Sequence, residues 1–293
     1  MKIASKTLLA TALVLAPATA AARMPEAQRA AVMRDVAKAR AADPRPFAAV
    51  SRIMELAPDA VARARDRKAP IAQYVARLGP SAVLPALERI VEGRDGELRR
   101  ELVEAVGLVR DPRATGVLGA IVDDASEDRE TTRTATEALA RIGTEEAARR
   151  IVTALDAARD ERARAILEGM GECRRAFAVD ALAARLRATN DEADARVAAR
   201  SLGRAGNAWA WRTLADRAEE DRVREIAARA LVDAFVRHRG EARDAAANAL
   251  MVVGDPRTPA MIGAARSAAS TEADRAALDE LRARFAKNPA AFR

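Results

Sequence analysis

Apolar side chains recur along this chain at helical spacing and in a fixed phase to a short polar turn. If the residue that ends the helix before each turn is taken as an anchor, the anchors are Gly79, Arg110, Gly143, Gly171, Gly206 and Gly254. Four residues before them stand Val75, Val106, Leu139, Leu167, Leu202 and Leu250. Five and eight residues after three of them stand Leu84 and Leu87, Ala148 and Ile151, and Trp211 and Leu214. Apolar positions three or four apart on both sides of a turn predict a pair of amphipathic helices per unit. The anchors follow one another at 31, 33, 28, 35 and 48 residues. Self-similarity at such a period marks a solenoid, in which each hairpin buries its apolar face only against a stacked neighbour. The expected fold is therefore all-α, an α-solenoid (superhelix) of stacked helical hairpins.

Each turn has a chemical reason. Glycine accepts the left-handed conformation that closes a helix, Asp or Thr caps the next one, and Pro at the first helical position lacks only a donor that would be unpaired anyway. Gly254-Asp255-Pro256 carries all three, while Asp111-Pro112 and Gly143-Thr144 keep parts. The last interval is long enough for one further helix, residues 221–239, whose Leu231 and Phe235 fit the register. With no partner helix in sight, an irregularity is expected there.

The ends depart from the repeat. Lys2 and Lys6, an apolar run from Thr7 to Ala16 and the small residues Ala18-Thr19-Ala20 have the order of a secretory signal. The apolar run is shorter than the ~20 residues a membrane span requires, and no Cys follows the cleavage pattern, so no lipid anchor and no stable membrane insertion are expected. The expected organisation is a signal peptide at 1–20, an N-terminal helical cap at 21–66, the solenoid at 67–270 and a C-terminal capping helix at 271–293. The last opens on Thr271, with Asp274 three residues on. Terminal units of solenoids often leave the consensus because one face meets water.

Composition sharpens this picture. Apolar residues make up 50% of the chain but aromatics only 3%, so Ala, Leu and Val must fill the core and helices must pack closely. Removing Lys2 and Lys6 from 50 basic and 43 acidic residues leaves a net charge of +5. The charges alternate in sign, without the one-sign stripe that nucleic-acid binding favours. One Cys and one His exclude an internal disulfide and a plausible zinc set. No phosphate loop and no dinucleotide fingerprint are present.

The turn sequence Arg110-Asp111-Pro112-Arg113-Ala114 and its counterpart Gly254-Asp255-Pro256-Arg257-Thr258, each following a short Ala/Leu helix, resemble the short HEAT-like repeat also called the PBS-lyase repeat. The resemblance spans roughly residues 67 to 270. Arg110 replaces the usual Gly, and Gly171-Glu172-Cys173 departs from the Asp-Pro form. It implies stacked HEAT-like hairpins; proteins with these repeats include bilin lyases, enzyme-assembly factors and scaffolds, so the fold alone does not select among functions.

Candidate functional residues are few. Arg100, Arg133 and Arg196 share one register, ten residues before the anchor. A structural ladder to acids or carbonyls of the adjoining unit is favoured over a row gripping an anionic partner. Trp209 and Trp211, two residues apart on a helix, cannot share a face. Trp211 falls at a core position, whereas Trp209 falls at the position of Arg113 and Arg257. Beside Asn207 and Arg212, Trp209 is a candidate contact anchor, since Trp and Arg dominate binding hot spots; a partly covered surface Trp is the plainer alternative. Cys173 lies at the start of a second helix beside Arg174 and Arg175, where a reactive thiol is conceivable and a small residue in place of Pro is the favoured reading. His238, between Arg237 and Arg239 at a helix end, lacks the oriented partners of a hydrolytic triad.

These features converge on an exported, non-enzymatic scaffold that binds another protein through its concave helical surface, expected to be lined by the second helices, with Trp209, Arg212, Arg113 and Arg257 as the expected contact residues. No cofactor, metal or nucleic-acid partner is expected. Location in the periplasm or outside the cell follows from the leader. A repeat-cradle enzyme related to bilin lyases and a nucleic-acid-binding HEAT-like protein are the alternatives.

Overall fold

A computed structural model describes residues 24–63, 71–93 and 96–288, without side-chain placement at 57–63. The leader at 1–20 and the expected mature start at Ala21 lie outside the described residues. Among those described, the ordered structure is α-helix with short 3-10 turns and no strand. The architecture is an all-α solenoid.

The N-terminal cap contributes α1 (Glu26–Ala42) and α2 (Arg45–Arg63). The hairpins that follow are α3 (Ile71–Arg77) with α4 (Val83–Glu92), α5 (Gly96–Val109) with α6 (Thr115–Asp123), α7 (Arg129–Ile142) with α8 (Glu145–Ala157), and α9 (Asp160–Gly169) with α10 (Ala176–Ala188). The chain continues through α11 (Glu192–Ala205), α12 (Ala208–Arg212), α13 (Glu220–Arg237), α14 (Gly240–Val253), α15 (Thr258–Ala268) and α16 (Glu272–Ala286). First helices stack on first helices in the order α3, α5, α7, α9, α11, α14. A second row runs α6, α8, α10, α13, α15, with α4 against the turn that begins α6. At the ends, α1 and α2 pack against α4 and α3, and α16 packs on α15 and α14.

The six apolar residues four before each anchor are all fully buried between these rows. Truncating a buried Leu of this kind to Ala costs roughly 2–5 kcal/mol. The first-helix row is tight because small residues face each other. A Cβ on Gly107 would stand 2.6 Å from that of Ala138, joining α5 to α7, and one on Gly203 would stand 2.8 Å from that of Ala249, joining α11 to α14. An Ala-rich core thus trades side-chain volume for backbone proximity.

Caps set the helix starts. The carboxylates of Asp128 and Asp191 accept from the Thr131 and Asp194 amides at 2.9 and 2.8 Å, and the Thr144 hydroxyl accepts from the Ala147 amide at 3.2 Å. The Thr271 hydroxyl both accepts from the Asp274 amide at 3.1 Å and donates to its carboxylate at 2.8 Å, capping α16.

The irregular unit differs from the expectation in one respect. The helix at 221–239 is not a first helix without a partner. It is α13, a second-row helix between α10 and α15, whose first helix is α11; α14 stacks directly on α11. The long interval arises because residues 206–219 interpose the single-turn helix α12 and a loop before α13 begins. The register of Leu231 and Phe235 misleads because α13 is buried on several faces, with Val223, Ala227, Ala228 and Val232 also inside.

Candidate functional site

Helix α12 places the two tryptophans on opposite sides. The Asn207 side chain caps it, accepting from the amides of Trp209 and Ala210 at 2.9 and 3.2 Å. Trp211 is 1% exposed, and its indole N–H donates to the Ala205 carbonyl at 2.9 Å. Trp209 is 54% exposed, with the Arg212 guanidinium 4.7 Å from its ring centroid. The separation expected from their spacing is realised, and the exposed indole is presented with a cation on its face.

Arg113 and Arg257 share the register of Trp209 but engage the solenoid itself. Arg113 forks onto the Asp111 carboxylate at 2.9 and 2.6 Å and donates to the Pro80 carbonyl of the previous unit at 2.7 Å. Arg257 forks onto Asp255 at 3.0 and 2.6 Å, donates to the Asp221 carbonyl at 2.9 Å and reaches Glu225 at 3.2 Å. Both remain partly exposed, with 47% and 43% of the side chain accessible. Each is a clamp between neighbouring units as well as a surface charge. The Arg113 fork holds the Asp111 carboxyl below its ordinary value.

The arginine register behaves as a ladder at two of three positions. Arg100 faces Asp128 of the next unit at 3.8 Å, and Arg196 pairs with Glu241 on α14. Arg133 instead bonds Glu130 and Glu137 on its own helix, at 2.8 and 2.9 Å. Other arginines of the first helices also bridge units: Arg99 to Glu127 and Arg164 to Asp194.

Beneath α12 lies a cleft of about 320 Å³ on the edge formed by the inter-helix turns. Four units contribute to it: Arg110 from one, Arg141 and Gly143 from the next, Glu172, Arg174 and Arg175 from the third, and Trp211, Asp216 and Glu219 from the irregular unit. Arg175 fixes one wall, donating to the Gly143 carbonyl and the Glu219 carboxylate, both at 2.8 Å. Glu219 also accepts from the Ala176 amide at 2.6 Å, so it caps α10 from the loop before α13. Arg174 lies 5.7 Å from the Trp211 ring centroid and donates to the carbonyls of Gly171 and Cys173 at 3.1 and 3.0 Å.

Charges in this cleft are crowded. Burial raises the Glu172 carboxyl, but the hydrogen bond from Arg204 and the charges of Arg174, Arg141 and Arg204 outweigh it, so the group sits below the ordinary carboxylate value. Burial lowers the Arg174 guanidinium, and nearby Arg204 and Arg110 act in the same direction. Arg110 itself holds a left-handed backbone, φ 60°, where the Gly79, Gly143 and Gly254 anchors have φ 68°, 70° and 56°.

Cys173 is buried, and burial pushes its thiol up to about 12 despite the opposing charge of Arg174. The neighbouring cations do not activate it, and it serves as the small residue in the place of Pro. His238 ends α13, with its pKa lowered by partial burial and by Arg237. No group of His, Cys, Asp and Glu among the described residues has the arrangement of a metal site.

The residues that sequence reasoning left outside any site are Arg110, Arg141 and Arg174. For two of them a signal existed: Arg110 breaks the glycine pattern, and Arg174 occupies the same register as Arg113 and Arg257. Nothing in the sequence marks Arg141, because only stacking brings it to the cleft.

The class defined by this geometry is a helical-repeat solenoid with an exposed aromatic on an inserted turn. Residues 83–171 match the family model of HEAT repeats, so the chain carries HEAT-like repeats. Among solved structures, human deoxyhypusine hydroxylase in complex with glycerol is similar over 76% of this chain and 81% of its own, at 20% identity and a TM-score of 0.33. A likeness of that degree supports no functional argument. No curated protein matches.

Proposed function

We propose that this chain is an exported, non-enzymatic scaffold, with repeats of the PBS-lyase HEAT-like form, that binds another protein. The observation that carries the reading is Trp209: a large aromatic more than half exposed, stacked by Arg212, on a turn that the regular repeat does not contain. Trp and Arg at the centre of a rigid surface are the residues that most often dominate binding energy. The rigidity comes from beneath, where Trp211 anchors the same turn in the core. Arg113 and Arg257, which share the register of Trp209, contribute partly exposed charges that add more to specificity than to affinity. Among the described residues no helix is long and apolar enough to cross a membrane.

The experiment uses the full chain made in a Gram-negative host. Recovery of a product that begins near Ala21 supports export; an intact Met1 in the mature pool counts against it. That product is then compared with Trp209→Ala in recovering partners from an envelope extract. A partner retained at least tenfold better by the parent chain supports the anchor, and equal retention sinks it.

A further inference from the structure

We propose that the cleft beneath α12 binds a carboxylate group, brought either by a small free dicarboxylate or by an acidic side chain of a peptide. This does not depend on Trp209 being a protein-binding anchor. Four guanidiniums line the cleft, those of Arg110, Arg141, Arg174 and Arg175, against the three carboxylates of Glu172, Asp216 and Glu219. The lining groups thus carry one positive charge in excess; Glu137 and Arg204, which pair with Arg141 and Glu172 from outside the lining, leave that balance unchanged. Arg141 reaches Glu137 at 3.5 Å through Nη2, while its Nη1 and Arg174 Nε are buried without an acceptor within the protein; an N–H in that state is costly, so a turn of either guanidinium toward an anion in the cleft is favoured.

Arg110 supplies the second argument. Its left-handed backbone is the conformation for which the corresponding turns use Gly, and a side chain there is strained. Arg110 is exposed and is among the residues lining the cleft. A residue that costs stability where the repeat has a ready alternative is the signature of a position kept for what its side chain contacts.

The ligand class follows from charge and shape. A planar guanidinium fork matches a carboxylate in two parallel hydrogen bonds. A phosphate dianion would place both of its charges on one centre beside Glu172, Asp216 and Glu219, whereas each carboxylate group carries a single charge that offsets the excess, and the second group of a four-carbon diacid is held three carbon–carbon bonds away. About 320 Å³ is ample for a short acidic side chain or a four-carbon diacid.

The test uses the full chain carrying Trp209→Phe, so that Trp211, on the cleft wall, is the one remaining indole. Its fluorescence is titrated with succinate, with a capped glutamate–glycine peptide and with inorganic phosphate, at ionic strength held near 0.1 M with chloride to fix screening. Saturable change with a carboxylate and none with phosphate is expected. Response to succinate assigns a free small acid as sufficient; response to the peptide alone assigns a protein segment. Arg110→Gly in the same background is expected to bind about tenfold more weakly while its unfolding midpoint rises, so lost binding is not lost folding. The proposal is overturned if neither carboxylate saturates, if phosphate binds as tightly, or if Arg110→Gly leaves the affinity unchanged. Because Trp209 is absent throughout, these outcomes are independent of the partner-recovery experiment.

Discussion

The turns at 110–113 and 254–257 contain the same Asp-Pro-Arg module, and the difference between them separates what the repeat requires from what one site adds. In both, the Asp carboxylate caps the turn and receives the fork of the Arg two residues on, and that Arg reaches back to a carbonyl of the preceding unit. In both, the anchor is left-handed. At 254 the anchor is Gly and the Asp is fully buried; at 110 it is Arg and the Asp side chain keeps 13% of its surface. A third turn, 171–174, shows what happens when the module is lost. Glu172 is one methylene longer than Asp, and its carboxylate pairs with Arg204 at 2.7 Å, leaving Arg174 a loose 3.8 Å contact. Arg174 therefore leans toward Trp211 and bonds the Gly171 and Cys173 carbonyls of its own turn, in place of the carboxylate fork and the reach to the preceding unit seen at Arg113 and Arg257.

The sharpest way to break the comparison is to remove the shared carboxylate. Asp255→Ala deletes a cap and a buried partner of Arg257, and is expected to cost about 3 kcal/mol in urea unfolding. Asp111→Ala removes the same bonds from a wetter turn, with an expected loss of about 1–2 kcal/mol. Equal losses at the two sites would show that burial does not distinguish them. Exchanging the anchors comes next. Gly254→Arg is expected to destabilise by about 1–2 kcal/mol, and Arg110→Gly to stabilise by about 0.5–1 kcal/mol, less than the full strain because Gly also loosens the unfolded chain. Thermal midpoints moving in opposite directions would confirm that the left-handed backbone, not the side chain, is what the fold demands.

The smallest effect is in acid. The Arg113 hydrogen bond places the folded Asp111 carboxyl below its unfolded value near 3.8. Its contribution is therefore complete above that value and disappears as pH falls through the lower folded value. In Asp111→Asn the fall in stability below about pH 4 is expected to be shallower than in the parent chain. The difference should amount to less than about 1 kcal/mol after solvent screening. An unchanged acid limb would mean that the fork at this turn holds no differential proton affinity.

Much of the architecture is legible in one dimension, because a repeat constrains each residue by its counterparts. Val106 and Leu250 are recognisable as core from phase alone, and Asp255 and Thr144 as caps from chemistry alone. The mistaken partnerless helix marks the limit of that logic: Leu231 and Phe235 have the spacing of any buried helix, and spacing does not say which row a helix joins. The tryptophans are instructive in the same way. Their two-residue spacing guarantees divergent faces, but that Trp209 emerges into solvent and Trp211 roofs a cleft depends on α12 being a single turn inserted before α13.

From the sequence alone follow the helical hairpin, its period and the chemistry of its turns, since propensity, capping and amphipathic phase are local properties that each unit states for itself. Only the tertiary structure decided which helices share a row, that the guanidiniums of Arg113 and Arg257 turn onto their own Asp, that burial raises the Cys173 thiol, and that residues from four units meet around one cleft. Those outcomes arise from stacking, which brings together side chains about thirty residues or more apart and sets their charge and solvation by neighbours that no single repeat contains.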